Sequence, residues 1–578
     1  MNRREFLQLL AQSAVAAQLA GCKSLASAGA DDIYNVPAFG DARLLHITDT
    51  HAQLNPIYFR EPSVNIGMGN ARGKFPHLVG ENLLSRLPSF TAREAHAYTC
   101  LDFAAAAEKY GRVGGFSHLA TLIRQLRETA RGSLLLDGGD TWQGSGTALW
   151  TRGRDMVDAC NLLGVDVMTG HWEFTYLEEE ILENVAAFNG DFVGQNVLAT
   201  EDVLFEGIDV HDEDTGHVFK PYVIREVGGR RIAVVGQGFP YTPIANPARF
   251  IPNWTFGIRE SDLSDLVETI RADEKPDAVV LLSHNGMDVD LKLASRVTGI
   301  DAILGGHTHD GVPIPVEVSN ANGKTIVTNA GSNGKFVGVL DLSFGASGVT
   351  GYQYRLLPVF SNLLTADTEM QAYIDGVRSP YLEKLSEPLA TTETLLYRRG
   401  NFNGTFDQVI VDALRQELDA EFSLSPGFRW GTSLLPGDTI TMEHLLDQTC
   451  ITYPETYARD MKGSELKNIL ESVADNLFNT DPYYQQGGDM VRTGGLMYEC
   501  WPAAGMGERI RNLSGSDGRK IEAGKEYRVA GWATVGSQSP GAPIWDVVAS
   551  HLRNVGTVTL GELESPVLRG VAGNPGLA

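Results

Sequence analysis

Cysteine is scarce, with five in 578 residues. Beyond Cys22, the remaining Cys100, Cys160, Cys450 and Cys500 form no C-x-x-C pair, which excludes a thiolate metal centre as the organising feature. Isolated buried thiols are the expected state, although an oxidising compartment would permit disulfides. Basic charge is also short: 47 Lys and Arg stand against 72 Asp and Glu, a net charge of −25. With no basic block to offset it, nucleic-acid binding is excluded. The same excess repels polyanions at long range, so any anion site is a local feature. Long apolar runs are missing too, since the stretch from Phe6 to Ala20 is modest, Ala-rich and too short for a stable membrane span. What is present, 43% hydrophobic and 21% charged residues, is ordinary for a soluble globular protein. The length implies two large domains and a linker.

The chain begins "MNRREFLQLLAQSAVAAQLAGC". Arg3, Arg4, Phe6 and Leu7 fit the twin-arginine export pattern, with Asn2 in place of the usual Ser or Thr, so residues 1–30 read as a targeting segment and not as fold. The expected location is periplasmic, by a route that carries proteins already folded and often metal-loaded. "LAGC" also resembles a bacterial lipobox. Cys22 then either carries a lipid, the one expected membrane attachment, or is incidental in a cleaved signal.

From about residue 40 to residue 345, short apolar runs alternate with helical patterns. The runs are "ARLLHIT" (42–48), "SLLLDGG" (133–139), "VDVMTG" (165–170), "RIAVVGQG" (231–238), "DAVVLLSH" (277–284) and "DAILGG" (301–306). Runs without strict alternation suit strands buried on both faces. Segments such as "GGFSHLATLIRQLRETA" carry apolar residues at helical spacing. The fold class is therefore α/β: an α/β sandwich domain over 38–360 with helices on a mostly parallel sheet core, a helical linker over 361–394 broken by Pro380, and a mixed α+β domain over 395–570.

The chemistry lies in where His and Asp fall. Asp49 and His51 follow the first run, Asp140 the second, His171 the third, His284 the fifth, and His307 and His309 the sixth. Strand C-termini are where open α/β folds bind ligands. A lone His at such a place is more often a satisfied core residue. Five of the 13 His at strand ends, with two Asp in equivalent places, are not comfortably explained by chance. Imidazole and carboxylate together suit Mn, Fe or Zn better than Ca or Mg. Seven ligands suit two ions, with a carboxylate such as Asp140 as bridge and a hydroxide between the ions as nucleophile for displacement at phosphorus or sulfur.

"DTH" (49–51), "GGD" (138–140), "GHWEF" (170–174), "SHNG" (283–286) and "GGHTH" (305–309) resemble, in order, the motifs of the metallophosphoesterase domain of the 5′-nucleotidase family. "GTFDQVIVDALR" (404–415), "MKGSELKNILE" (461–471) and "GKEYRVAGWATV" (524–535) resemble landmarks of that family's second domain. The resemblance implies a site between two domains. It implies one metal on Asp49, His51, Asp140 and His309, and the other on Asp140, His171, His284 and His307. Nucleotidases read G-N-H-E-F-D at the third motif. Here His171 takes the place of the Asn ligand, Trp172 that of a catalytic His and Thr175 that of its Asp partner. The base-clamping segments also differ, reading "CITYPETY" (450–457) and "GWATVGSQSPGAPIW" (531–545).

"GHWEFTY" with "YYQQGGDMVRTGG" (483–495) resembles the SoxB branch, the thiosulfohydrolases of bacterial sulfur oxidation. This implies a periplasmic dimanganese enzyme acting on a cysteine S-thiosulfonate at the C-terminal arm of a SoxYZ-type carrier protein. Sulfate would leave and the carrier would keep a persulfide, a weak base that needs little general-acid help. Trp172 would wall a narrow channel, against the plainer expectation of core packing. Arg429 and Arg492 are the expected contacts to sulfate- or thiosulfate-like anions, against interdomain ion pairing, with Arg398 and Arg399 behind them. The other readings are a 5′-nucleotidase or cyclic-nucleotide phosphodiesterase and a non-catalytic, metal-stabilised binding subunit.

Overall fold

The apolar runs do become strands, but they divide between two sheets. The first sheet holds β1 (Ala42–Ile47), β2 (Ser133–Asp137), β3 (Val167–Met168) and β4 (Asp191–Phe192). The second holds β5 (Tyr222–Val227), β6 (Arg230–Gln237), β7 (Ala278–Ser283), β8 (Ala302–Gly305), β9 (Val316–Asn320) and β10 (Gly323–Asn329). The chain then returns to the first sheet as β11 (Phe336–Gly345) and β12 (Gly348–Pro358). Spatial orders are β12-β11-β1-β2-β3-β4 and β9-β10-β8-β7-β6-β5. Within each, the central strands run parallel and the hairpin edges antiparallel. The structure is a computed structural model describing residues 33–206, 212, 214–346 and 348–578. The export segment and Cys22 lie outside the described residues. No helix among the described residues is long and apolar enough to cross a membrane.

The sheets face one another across a core of alternate residues, including Leu44, Leu136, Val167, Val234, Val280, Leu304 and Leu340. The opposite faces are sealed by helices; Val235, Val279, Leu281 and Ile303 pack against Leu263, Val267, Leu293 and Ala294. This is why the runs lack a period of two, since both faces of each central strand meet apolar neighbours. Arg43 and His46 are the polar exceptions on β1, and Arg43 is paired. Arg43 is 1% exposed and sits opposite Asp341 on β11, donating to both carboxylate oxygens at 2.7 and 2.8 Å.

The linker begins as a helix, Thr368–Arg378, packed on helices Phe116–Glu128 and Arg154–Leu163 of the first domain. Helical structure ends at Leu385, short of the expected residue 394. Pro388–Thr392 is a strand pairing Thr439–Thr441 and Thr557–Val558. Its partners are distant in sequence, and "PLATT" alone reads as loop. The second domain carries a mixed sheet of Thr456–Lys462, Glu526–Trp532, Phe422–Ser425 and Arg492–Gly494, in that order. Residues Pro37–Ala578 form one compact unit. The final residues fold back on the first domain, where Asn65 N donates to Gly576 O and Ala578 N to Ser63 O.

Candidate dimetal site

β1, β2 and β3 of one sheet, and β7 and β8 of the other, end around one point. All seven expected ligands gather there as two sets that share Asp140: Asp49, His51, Asp140 and His309, and Asp140, His171, His284 and His307. Within each set the donor atoms lie within 4.8 Å of one another, and all seven residues are buried. Five of them have positive φ: Asp49 52°, His51 46°, Asp140 60°, His307 72° and His309 57°. Each such residue costs about 1–2 kcal/mol. Its recurrence at ligands that follow strand ends marks strain concentrated at a functional site.

The donor spacing fits metal ions. His51 Nε2 and His309 Nε2 are 3.0 Å apart, and His309 Nε2 is 3.2 Å from Asp49 Oδ1. In the other set His284 Nε2 is 3.1 Å from Asp140 Oδ2, and His171 Nδ1 is 3.2 Å from Asp140 Oδ1. Bonds of about 2.0–2.2 Å to a shared ion put neighbouring donors roughly 3 Å apart. Among the described residues, His284 Nε2 and both nitrogens of His307 are buried with no hydrogen-bond partner. Orphaned polar atoms on ligand side chains need an explanation, and a cation held by one nitrogen of each ring would provide one.

Electrostatics agree. Burial pushes His51 down to about 4 and holds His171, His307 and His309 below the usual histidine range, so their lone pairs are free at neutral pH. Burial would raise Asp140, but His171 and His284 hold it well below the ordinary carboxylate range. His284 goes the other way: despite burial, Asp140 and Asp49 lift it to about 10. Its Nδ1 donates to Gly138 O at 2.5 Å, which aims Nε2 at the carboxylates. A cation on Nε2 displaces that proton.

Glu173 organises the loops, a role sequence reasoning missed. Fully buried, it accepts from Thr141 N (2.7 Å) and Trp142 N (3.1 Å) on one oxygen, and from His171 N (2.8 Å) and Asp140 N (3.1 Å) on the other. One carboxylate thus fixes the backbones of Asp140 and of His171 on the loop after β3. Its membership of the "GHWEF" run was the available signal.

The ligands open on a cleft of about 300 Å³ between the domains. Trp172, Phe239, His307 and His309 line one side, and Phe428, Arg429, Trp430 and Gly487 the other. Trp172 lies edge-on to Trp430 at 4.9 Å and to Phe428 at 5.5 Å, with those two stacked at 4.1 Å. It also belongs to the second domain's hydrophobic cluster with Phe406, Leu445 and Trp532, so wall and core are the same residue. Thr175 bonds across the domain boundary to Thr452, hydroxyl to hydroxyl at 2.7 Å, within the altered "CITYPETY" segment.

The two arginines separate. Arg429 lines the cleft, donating to Asp489 Oδ1 (3.2 Å), Gly488 O (3.0 Å) and His307 O (3.3 Å). Arg492 does not line it, which corrects the expectation of an anion contact. Its side chain has no exposed surface and is spent on Asp489, Asp407 and the carbonyls of Phe402 and Met490. It holds Asp489 from behind while Arg429 holds it from the front.

Gly487 has φ +82°, and a Cβ there would stand 1.9 Å from His307 Nε2. Gly487→Ala is expected to displace His307 and weaken metal uptake by about 10-fold or more. Manganese titration checks this; wild-type affinity would mean that the loop yields instead.

Residues 42–311 match the calcineurin-like phosphoesterase family, and residues 388–545 match the 5′-nucleotidase C-terminal domain. Among solved structures, the sulfate thiohydrolase SoxB of Thermus thermophilus is similar at 36% identity and a TM-score of 0.86, covering 93% of this chain and 98% of that one. A 5′-nucleotidase precursor, also from Thermus thermophilus, shares the fold at 20% identity and a TM-score of 0.71, covering 92% of this chain and 99% of that one. The trifunctional nucleotide phosphoesterase YfkN of Bacillus subtilis is 25% identical over 479 residues, 76% of this chain. The chain spans only 32% of that protein's length.

Proposed function

Because the chain belongs to the SoxB/5′-nucleotidase superfamily of two-domain metallohydrolases, we propose that it is a thiosulfohydrolase releasing sulfate from a cysteine S-thiosulfonate. The observation that carries this reading is Trp172. It walls the cleft at the place where the motif resemblance implies a catalytic His in nucleotidases, while Thr175, in the implied place of the partner Asp, is engaged with Thr452. The balance is Cys–S–S–SO₃⁻ + H₂O → Cys–S–S⁻ + SO₄²⁻ + 2H⁺: oxygen bonds to the sulfonate sulfur, the S–S bond breaks and its electron pair leaves with the persulfide. An alkoxide leaving group needs a proton donor, whereas a persulfide is a weak base and leaves without one.

Asp49, His51, Asp140, His171, His284, His307 and His309 would hold two divalent ions, manganese in this reading, which would supply a hydroxide at neutral pH and polarise the sulfonate oxygens. Asp140 faces both positions and accepts from Trp172 N at 2.7 Å, which fixes the carboxylate's rotation. Arg429 uses three of its N–H groups within the fold and offers the rest to a sulfonate. Trp172, Phe428 and Trp430 narrow the cleft to a slender arm and exclude a stacked base. The substrate in this reading is the arm of a SoxYZ-type carrier, met in the periplasm after twin-arginine export, with a lipid on Cys22 as an optional tether.

The test is ion chromatography of sulfate released from a short peptide bearing a cysteine S-thiosulfonate, using manganese-loaded protein. Sulfate in step with persulfide supports the reading. Rapid turnover of AMP or a cyclic nucleotide with no sulfate makes the chain a phosphoesterase, and inertness toward both with two metals bound makes it a binding subunit.

A further inference from the structure

The loop carrying His307 and His309 is held from the second domain by its own backbone. Arg399 donates from Nη1 to His309 O at 2.8 Å and from Nη2 to Thr308 O at 2.9 Å, and Arg429 reaches His307 O at 3.3 Å. Three successive carbonyls are therefore taken by two arginines of the other domain. Arg399 is 6% exposed, and its Nη1 lies 3.9 Å from Glu61 Oε2. The other oxygen of Glu61 accepts from the buried Lys335 at 2.9 Å, and Lys335 also donates to Phe59 O at 3.2 Å. Glu61 lies on the segment that leaves β1 through Asp49 and His51. One guanidinium thus stands between the two segments that supply Asp49, His51 and His309, three of the four ligands of one metal position.

We propose that Arg399 is a positioning residue through which the second domain sets the affinity of the metal position formed by Asp49, His51, Asp140 and His309. Its fork fits two adjacent carbonyls, a geometry that a single ammonium cannot reproduce. Domain packing and occupancy of that position are then one property. Swinging the domains apart would break both hydrogen bonds and loosen the ligand loop. Arg429 does the same more weakly for His307, whose metal position is the other one. The inference rests on the dimetal reading of the site and is independent of which substrate is turned over.

The test uses the full metal-stripped chain and its Arg399→Ala, Arg399→Lys and Arg429→Ala variants. Each is titrated with Mn²⁺ by calorimetry and followed by the spin-coupled EPR signal of a manganese pair. Arg399→Ala is expected to weaken one of the two binding steps by 10- to 100-fold, the range for losing a residue that supports a ligand. The other step shifts by less than about threefold, and the coupled signal appears only at excess metal. Arg399→Lys recovers part of the loss in that same step. Arg429→Ala is expected to weaken the opposite step. Equal weakening of both steps in Arg399→Ala, or no weakening, overturns the proposal. If the Ala variant does not fold, the Lys variant carries the test by the same criterion. A wild-type chain that binds no manganese would defeat the dimetal reading itself, a result distinct from either outcome.

Discussion

Replacing Asp140 by Asn is expected to cut hydrolysis by at least 10³-fold, about 4 kcal/mol of transition-state stabilisation. Asp140 is the one residue common to both ligand sets. Its carboxylate lies 3.1 Å from His284 Nε2, 3.2 Å from His171 Nδ1 and 3.7 Å from His51 Nε2. An amide keeps the shape and the hydrogen bond from Trp172 N but loses the charge and one of two coordinating oxygens. Asp140 would be the donor common to two bound ions, and its loss would remove the charge that holds both of them and favours their activation of water. Metal analysis is expected to find one manganese or fewer per chain. Two retained ions with wild-type turnover would remove Asp140 from the bridging position.

Glu173→Ala carries the second-largest effect, on stability as well as activity. It strands four backbone N–H groups, those of Asp140, Thr141, Trp142 and His171, all on residues at most 2% exposed. A buried donor left without an acceptor costs about 1–3 kcal/mol, so the sum is on the order of 4 kcal/mol or more. Glu173→Gln is expected to fall between, because the amide nitrogen faces donors that it cannot accept from. The check is the urea midpoint of the metal-free protein, followed by metal content. An Ala variant as stable and as metal-replete as wild type would show that the two loops are fixed by something else.

The parts of this site legible in sequence were those with local signals. A short apolar run followed by Asp or His identifies a strand end and its ligand together, and the seven side chains singled out this way converge on one point. Glu173 was not legible because its partners are backbone amides, three of its four on a loop about 30 residues away, and a carboxylate inside a motif has no mark of its own. Arg429 and Arg492 looked equivalent as arginines in Gly-rich segments. Only the packing shows that Arg429 faces the cleft while Arg492 lies behind Asp489. The division into two sheets was hidden for a related reason: a strand covered on both faces has the same pattern whether its cover is a helix or another sheet. Trp172 carried both expectations, wall and core, and the structure keeps both, because the cleft is cut between the first domain's ligands and the second domain's core.

The central claim is that this dimetal site attacks sulfur and not phosphorus. The direct measurement is a competition in ¹⁸O-labelled water, with equimolar thiosulfonate-bearing peptide and AMP offered to manganese-loaded protein. The account predicts ¹⁸O in sulfate, persulfide in equal amount and negligible labelled phosphate. Labelled phosphate accumulating while sulfate remains unlabelled would contradict it.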